Sequence, residues 1–312
     1  MGRFADALKR SRSNSILGPT AEEDRAGDPI RFFAPGQPAV VSPWDIEREP
    51  GAAAVSVATR HARRERAPVP RVLDRNHHSE SHARFPSATS SDKLIVSRSV
   101  TPIAREQYNK LAAAIHQLQL ERTLKVVMVT SAVPHEGKTL TAANVALTLS
   151  DSYERRVLLI DGDLRHPSVH GVLGIPNRRG LSDSLAAHGP LPVVELTPNL
   201  WVLTAGSSGG DPMKTLTSEY VRTLIDDARA DFDWVLVDTP PIGLLPDAGL
   251  VASVADGALF VVRAAHTPYD LIQRAVEAIG ADRILGVVLN GMSEHEVPAG
   301  YYGDYYYDAG RG

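Results

Sequence analysis

The residues best suited to chemistry are Gly137, Lys138 and Thr139, which follow an apolar run and a short loop. A strand, a loop and then a helix in this order are typical of phosphate-binding loops, whose backbone N–H groups surround phosphate oxygens. The lysine of such a loop reaches the β- and γ-phosphates, and the hydroxyl residue binds Mg²⁺. The full pattern has glycine where Ala132 stands. The sequence therefore predicts a deviant Walker A loop.

Two further apolar runs end in carboxylates. Asp161 and Asp163 follow the run that begins at Arg156, and Asp238 closes another at residues 233–238. Ligands of open parallel sheets lie beyond the carboxyl ends of the strands, so these side chains should meet Lys138 at one edge. Any one of them is also compatible with an ordinary strand-ending turn, but three such segments in one chain favour a nucleotide site.

From residue 104 onward, strand and helix patterns alternate. An amphipathic helix is expected at residues 105–122. Near-continuous Val, Leu and Ile runs separated by helices indicate a parallel sheet covered on both faces. We predict a doubly wound, mostly parallel α/β sheet of the P-loop NTPase class, with strands at 125–130, 156–161, 201–205, 234–238, 257–263 and 284–289 and helices at 138–150, 218–230, 247–254 and 269–280.

The N-terminal part differs in composition. Residues 1–95 are rich in Pro, Ser and Arg, carry a net positive charge and show no helical or strand period. Such a segment buries too little apolar surface to offset the entropy of ordering, so we predict a disordered basic arm. Weak attraction to anionic lipid or an acidic partner is one interpretation, and a solvated linker is the other. The dispersed basic residues lack interleaved aromatics, which argues against nucleic-acid binding.

Other classes are excluded by what the sequence lacks. It has no cysteine, and therefore no disulfide or thiolate metal site. It has no run of 18 apolar residues that would span a membrane, and its N-terminus lacks the apolar region of a secretory signal. Together with a nucleotide site, these features predict a cytoplasmic protein, which a partner could recruit to the inner face of the membrane.

Residues 130–139, 160–166 and 237–241 resemble the bacterial tyrosine kinases of exopolysaccharide and capsule synthesis, which are related to the MinD/ParA class. The resemblance covers residues 104–291, the predicted kinase domain. The family's loop reads roughly Ser-x-x-Pro-Gly-Glu-Gly-Lys-Ser/Thr, and His135 replaces its first glycine. We expect His135 to adopt the positive φ that this glycine allows, which His tolerates better than most residues.

The resemblance implies an ATP-dependent protein-tyrosine autokinase with Mg²⁺ as cofactor. Asp161 and Asp163 would form its Walker A′ motif and Asp238 its Walker B motif. Lys138 would neutralise the γ-phosphate, Asp161 would accept the tyrosine proton, and Thr139 would bind Mg²⁺ directly. Asp163 and Asp238 would hold Mg²⁺ through water. The nucleotide-binding residues that it implies are Pro134, His135, Glu136, Gly137, Lys138, Thr139, Leu140 and Asn290.

Two of the residues near the predicted site have alternative interpretations. By resemblance, Asn290 hydrogen-bonds the adenine, but a strand-terminal turn residue would look the same. Arg165 is expected either to steady phosphate or to form a plain ion pair.

Residues 292–312 form a predicted flexible tail that carries the substrate. Glycine and aspartate among its tyrosines disfavour a packed strand or helix. From Asn290 to Tyr305 a flexible chain spans about 20 Å and stretches to roughly 50 Å, enough to reach a neighbouring subunit. The expected phosphoacceptors are Tyr301, Tyr302, Tyr305, Tyr306 and Tyr307.

The resemblance also implies partners: a homo-oligomer that phosphorylates itself in trans, a membrane activator of the chain-length-determinant type, and a cognate tyrosine phosphatase. The family often carries Glu-x-x-Arg-x-x-Arg on the helix before the P-loop. The corresponding residues here are Glu106, Asn109 and Ala112, so both arginines are missing.

The sequence also bears on three alternative functions. A MinD/ParA-type ATPase, acting as a localisation or partitioning switch, would carry a signature lysine at Val133 and no tyrosine-rich tail. A GTPase would show an Asn-Lys-x-Asp motif after the Walker B strand, and none is present. A regulator that binds nucleotide without transferring phosphate is the third alternative, prompted by His135.

Overall fold

A single eight-stranded sheet organises the protein, which we describe from a computed structural model over residues 31–33, 90–187, 191–207, 216, 219–243 and 246–292. Along the sheet the strands follow the order β1-β8-β7-β2-β6-β3-β5-β4. The strands are β1 (Arg31–Phe33), β2 (Val126–Ser131), β3 (Val157–Asp161), β4 (Val194–Thr197), β5 (Leu200–Leu203), β6 (Trp234–Asp238), β7 (Gly257–Arg263) and β8 (Ile284–Asn290).

The six central strands run parallel, and the two edge strands β1 and β4 run antiparallel to their neighbours. This confirms the predicted mostly parallel sheet. The described helices are α1 (Pro102–Glu121), α2 (Lys138–Asp151), α3 (Val169–Leu173), α4 (Leu181–Ala187), α5 (Glu219–Asp231), α6 (Pro246–Val254) and α7 (Tyr269–Ile279), with a 3₁₀ turn at Ala281–Arg283.

Both faces of the sheet are covered, which explains why its central strands are mostly apolar. Along β2, Val126 and Met128 pack into one core with α5, α6 and α7, whereas Val127 and Val129 pack into another with α1, α2 and α3. Because side chains alternate along a strand, one continuous apolar run supplies both cores. Because the central strands are parallel, their carboxyl ends lie at a single edge of the sheet, as the site requires.

The folded domain begins before its predicted start at residue 104. Leu94 is completely buried, and the backbone N–H of Ile95 donates to Asn144 Oδ1 at 2.9 Å. Asn144 Nδ2 in turn donates to the carbonyl oxygen of Lys93 at 3.2 Å. Within the predicted arm, residues 31–33 form β1, which pairs with β8. The remainder of the arm up to residue 89, and the tail from residue 293, lie outside the described residues.

None of the helices in the described ranges is long and apolar enough to cross a membrane.

Candidate active site

The P-loop leaves β2 and turns into α2 through two residues of positive φ. His135 has a φ of 63°, as expected from its place at the family's glycine position, and Gly137 has a φ of 88°. A Cβ atom on Gly137 would lie 2.0 Å from Asn290 Nδ2, so only glycine fits there. Pro134 and His135 are exposed at the tip of the loop. The loop thus has the tight geometry that brings backbone N–H groups to a phosphate.

Lys138 and Thr139 open α2 at the carboxyl edge of the sheet. Lys138 is only 8% exposed, so its charge acts in a medium less polarisable than water. The Thr139 hydroxyl donates to Asp238 Oδ2 at 2.6 Å. Its oxygen lies 2.7 Å from Ser168 Oγ, and because the hydroxyl hydrogen of Thr139 is already used, Ser168 is the donor.

Asp161 and Asp238 lie side by side, in register on the parallel strands β3 and β6. Asp161 Oδ2 accepts the backbone N–H groups of Ser168 and Val169, each at 3.1 Å. Asp163 Oδ1 accepts the N–H of His166 at 3.0 Å. The other oxygens of the pair, Asp161 Oδ1 and Asp238 Oδ1, are buried and have no hydrogen-bond partner among the described residues.

Crowded, desolvated carboxylates resist ionisation. Burial raises the pKa of Asp238 to about 7, while the Thr139 hydrogen bond and the Lys138 charge oppose the rise. Burial also raises the pKa of Asp161 well above its usual value, and repulsion from Asp238 adds to the effect. A positive charge near the site would favour the ionised form of both carboxylates.

These side chains fit a magnesium ion. Mg²⁺ prefers carboxylate and hydroxyl oxygens and takes few protein ligands, keeping water and phosphate oxygens for the rest. Thr139 and the unpartnered Asp238 Oδ1 meet that description, with Asp163 nearby in the charge cluster. In the part of the chain that the structure describes, no group of three or more His, Asp or Glu side chains would hold a metal without such help.

A groove of about 170 Å³ opens beside the P-loop. Tyr108, Val100 and Ala104 contribute its apolar side. The remaining lining residues are Lys93, His135, Gly137, Leu140, Arg263, Asn290 and Gly291. Three of the predicted nucleotide-binding residues besides Gly137 thus border one groove, next to the loop that would hold the phosphates.

Comparison with known proteins identifies the family. No family profile matches the sequence. "Tyrosine-protein kinase YwqD" of Bacillus subtilis is 37% identical over 205 residues, which cover 64% of this chain and 86% of that protein. "Tyrosine-protein kinase CpsD" of Streptococcus agalactiae is 30% identical over 187 residues, 58% of this chain and 81% of that protein. The chain belongs to the bacterial tyrosine kinases.

Solved structures agree with this assignment. The chimeric protein CapA2B2 is 29% identical and superposes with a TM-score of 0.60, covering 66% of this kinase and 92% of that chain. The kinase domain of Escherichia coli ETK gives a TM-score of 0.57 at 28% identity, covering 61% of this kinase and 76% of that chain. Membership of the family decides against the partitioning ATPase and the GTPase as the class of this protein.

Two predicted residues have structural contacts in this kinase. Arg165 forms an ion pair with Asp247, with 2.5 Å between Nε and Oδ2, which is the second of its two expected roles. Asn290 Nδ2 donates to the backbone carbonyl of Glu136 at 2.9 Å, so its amide group supports the P-loop. The adenine contact expected of Asn290 stays a prediction.

Ser168 is a site residue that the sequence did not reveal. Its hydroxyl bonds to Thr139 and its N–H to Asp161, so it contacts both the Walker A and the Walker A′ motifs. It follows His166 and Pro167 in a stretch without a recognisable pattern. Only the fold brings it to Thr139, 29 residues away.

On α1, the three residues that match the family's Glu-x-x-Arg-x-x-Arg register do not share one exposed face. Glu106 and Asn109 are exposed, whereas Ala112 is completely buried. The helix of this kinase therefore does not display the family's assembly motif.

Proposed function

We propose that this kinase transfers the γ-phosphate of ATP, bound with Mg²⁺, to tyrosines of its own C-terminal tail. The observation that carries the proposal is the convergence of Lys138, Thr139 and the Asp161–Asp238 pair at one sheet edge, with two buried carboxylate oxygens left unpartnered. Buried polar atoms without partners are rare and call for an explanation. A bound cation and a tyrosine that accepts the phosphoryl group would explain the two unpartnered oxygens.

Lys138 provides the charge for the phosphates. Phosphoryl transfer depends mainly on positioning and on neutralising the charge of the phosphoryl oxygens. Lys138 is a buried residue, and a charge held in a buried site needs little reorganisation during the reaction, which makes it more effective than an exposed one. The P-loop N–H groups and the N-terminus of α2 add to the same field.

Thr139, Asp163 and Asp238 are the residues that we propose to hold Mg²⁺, whose bound form would neutralise charge on the β- and γ-phosphates. The hydroxyl of Thr139 already lies against Asp238, so both groups face the same position. Binding there requires Ser168 and Asp238 to release the Thr139 hydroxyl.

Asp161 is the proposed acceptor of the tyrosine proton. A phenol has a pKa of about 10, and a carboxylate with a raised pKa is a better matched base than an ordinary one. Lys138 and a bound cation would favour the ionised form of the Asp161 carboxylate, which is the form that accepts a proton. Asp161 Oδ1 has no competing hydrogen bond among the described residues.

The predicted tail follows a strand that ends beside the active site. It follows β8, whose carboxyl end at Asn290 lies at the same edge as the active site and contacts the P-loop. A flexible chain anchored there spans about 20 Å and stretches to roughly 50 Å, enough to reach the site of a neighbouring copy. The five tail tyrosines lie outside the described residues, so their role rests on their position in the sequence.

Polysaccharide production and its partners complete the proposal. This kinase spans 31% of ExoP, a protein of Rhizobium meliloti named for succinoglycan biosynthesis and transport, at 32% identity. We propose that this kinase likewise serves exopolysaccharide or capsule synthesis. A membrane protein of the chain-length-determinant type would activate it, and a tyrosine phosphatase would reverse its action. Co-purification of the kinase with such a membrane protein, and faster labelling in its presence, would test the first partner.

The decisive experiment uses labelled ATP and a mixture of two variants. Lys138→Met keeps the tail but loses the phosphate-binding charge, and a chain ending at residue 292 keeps the site but lacks the tail. Neither should be labelled alone with ATP and Mg²⁺, whereas the mixture should label the Lys138→Met tail. Label mapped outside the five tail tyrosines, or labelled Lys138→Met in isolation, would contradict the proposal.

A further inference from the structure

Glu136 is a buried acid within the P-loop that the phosphate chemistry does not use. It is 1% exposed, and a carboxylate so deeply buried is tolerated only when it is fully hydrogen-bonded or paired. Its Oε2 accepts the N–H of Val133 at 2.9 Å. Its Oε1 accepts the N–H of Arg263 at 3.2 Å and the hydroxyl of Thr267.

The partners of Glu136 join distant parts of the chain. Val133 belongs to the P-loop itself, but Arg263 ends β7 and Thr267 lies in the following turn, 127 and 131 residues further along. The same turn is fixed from its other side, because the N–H of Ala264 donates to the carbonyl of Asn290 at 2.7 Å. Asn290 Nδ2 also donates to the carbonyl oxygen of Glu136, so the turn and the P-loop are connected a second time through Asn290.

The turn that Glu136 holds has a constrained shape. Ala265 has a φ of 57°, which is uncommon for a residue other than glycine and persists when surrounding contacts enforce it. The N–H of Thr267 donates to the carbonyl oxygen of Arg263, and the N–H of Arg263 donates to Thr267 Oγ1, each at 3.2 Å, which tightens the turn further. Glu136 is thus attached to a rigid support.

We propose that Glu136 is a positioning residue: its carboxylate ties the P-loop to the turn after β7 and holds the loop ready for nucleotide. A carboxylate turned towards the phosphates would repel them, whereas one turned towards β7 leaves the loop's remaining N–H groups for the ligand. Nucleotide affinity therefore depends on Glu136 and Thr267 together. The inference rests on the proposed function only in taking a nucleotide as the ligand of the loop.

The test is a double-mutant cycle on the binding of ADP with Mg²⁺, measured by calorimetry on the full chain. Glu136→Gln turns one acceptor oxygen into a donor that faces N–H groups, and should weaken ADP binding by about tenfold or more. Thr267→Val should weaken it several-fold, Thr267→Ser should restore it, and the double variant should bind no worse than Glu136→Gln. The control is Glu277→Gln, the same change at an exposed carboxylate of α7, which should leave binding unchanged.

A readout independent of nucleotide is hydrogen exchange of the P-loop amides. Thr267→Val should speed exchange at residues 131–138, although Thr267 lies far away in sequence, and Thr267→Ser should not. When ATP is varied in the labelling assay, the variants should raise KM for ATP and leave kcat at saturation within about twofold, because positioning is lost but the transfer chemistry is kept.

Additive losses of affinity, unchanged loop exchange in Thr267→Val, or a fall in kcat at unchanged ADP affinity would overturn the inference. If Glu136→Gln fails to fold, the comparison of Thr267→Val with Thr267→Ser tests the inference on its own. A non-additive cycle in a protein that labels no tyrosine would sustain the inference while refuting the proposed function.

Discussion

Asp238→Asn should stabilise the nucleotide-free protein while removing its activity. Asparagine keeps an oxygen for the Thr139 hydroxyl and removes a desolvated charge from a fully buried position. Its amide also offers a donor to Asp161, the in-register neighbour with an unpartnered oxygen. The substitution therefore relieves repulsion in the pair and satisfies a buried acceptor at the same time.

The size and sign of the effect follow from the pKa. In the unfolded chain Asp238 ionises near its usual value of 3.8, and in the folded protein at about 7. Between these values the folded state binds more protons, so stability falls as the pH rises through this window. The difference corresponds to on the order of 4 kcal/mol at pH 8, as an upper bound. In Asp238→Asn this loss is absent, which should raise the Tm by several degrees.

The assay is thermal or urea unfolding of both proteins, without nucleotide, at pH 8 and pH 5. The advantage of Asp238→Asn should be largest at pH 8 and smaller at pH 5, and it should vanish only below about pH 3, where both states of the wild type are protonated. Asp226→Asn, the same change at an exposed site on α5, should show no such pH dependence. If Asp238→Asn is no more stable than the wild type at pH 8, the carboxylate is not strained by burial and the account of the site is wrong.

Three further predictions concern activity, the loop and the tail. Asp161→Asn should lower kcat by about 10²-fold or more while ADP binding stays within a few-fold of wild type, since a general base contributes to the transfer step; equal loss of binding in calorimetry would remove Asp161 as the proton acceptor. His135→Gly should tighten ADP binding several-fold, because it relieves a positive φ that costs about 1 kcal/mol outside glycine; unchanged affinity would mean that the loop is not strained there. Phosphorylation adds about −1.5 to −2 charges per tyrosine, so a modified tail should leave a site lined by carboxylates. Light scattering should then show that wild-type oligomers dissociate with ATP and Mg²⁺, whereas a variant with all five tail tyrosines changed to Phe does not; identical behaviour would leave the tail without a part in assembly.

The central strands could be predicted because their signal is local. An apolar run buried on both faces, which leads into the P-loop or ends in a carboxylate, determines β2, β3 and β6 and the edge at which their ends meet. The observed bounds differ from the predicted ones by one residue at β2 and β3. For the same reason the Walker motifs were recognisable before the fold was known.

The segment between β3 and β5 was not predicted because its elements are short. Helix α3 has 5 residues, α4 has 7 and β4 has 4, too few for a periodic pattern to stand out. Ser168 lies at the start of this segment, so its contact with Thr139 could not be foreseen. The partners of Glu136 were equally hidden, since a hydrogen bond across more than 100 residues leaves no local signal.

The buried acids at this edge of the sheet differ in what surrounds them, and that difference separates support from chemistry. Glu136 fills both of its oxygens with hydrogen bonds, and Asp247 is neutralised by Arg165. Both are satisfied in the folded protein, and breaking either arrangement would leave an uncompensated buried charge. Asp161 and Asp238 instead repel one another, and each keeps one oxygen without a partner among the described residues, so this part of the fold leaves them unsatisfied. A cation bound between them would relieve this repulsion, and phosphate oxygens would supply its remaining ligands. The strain that lowers the stability of the nucleotide-free kinase thus favours the complex in which transfer occurs.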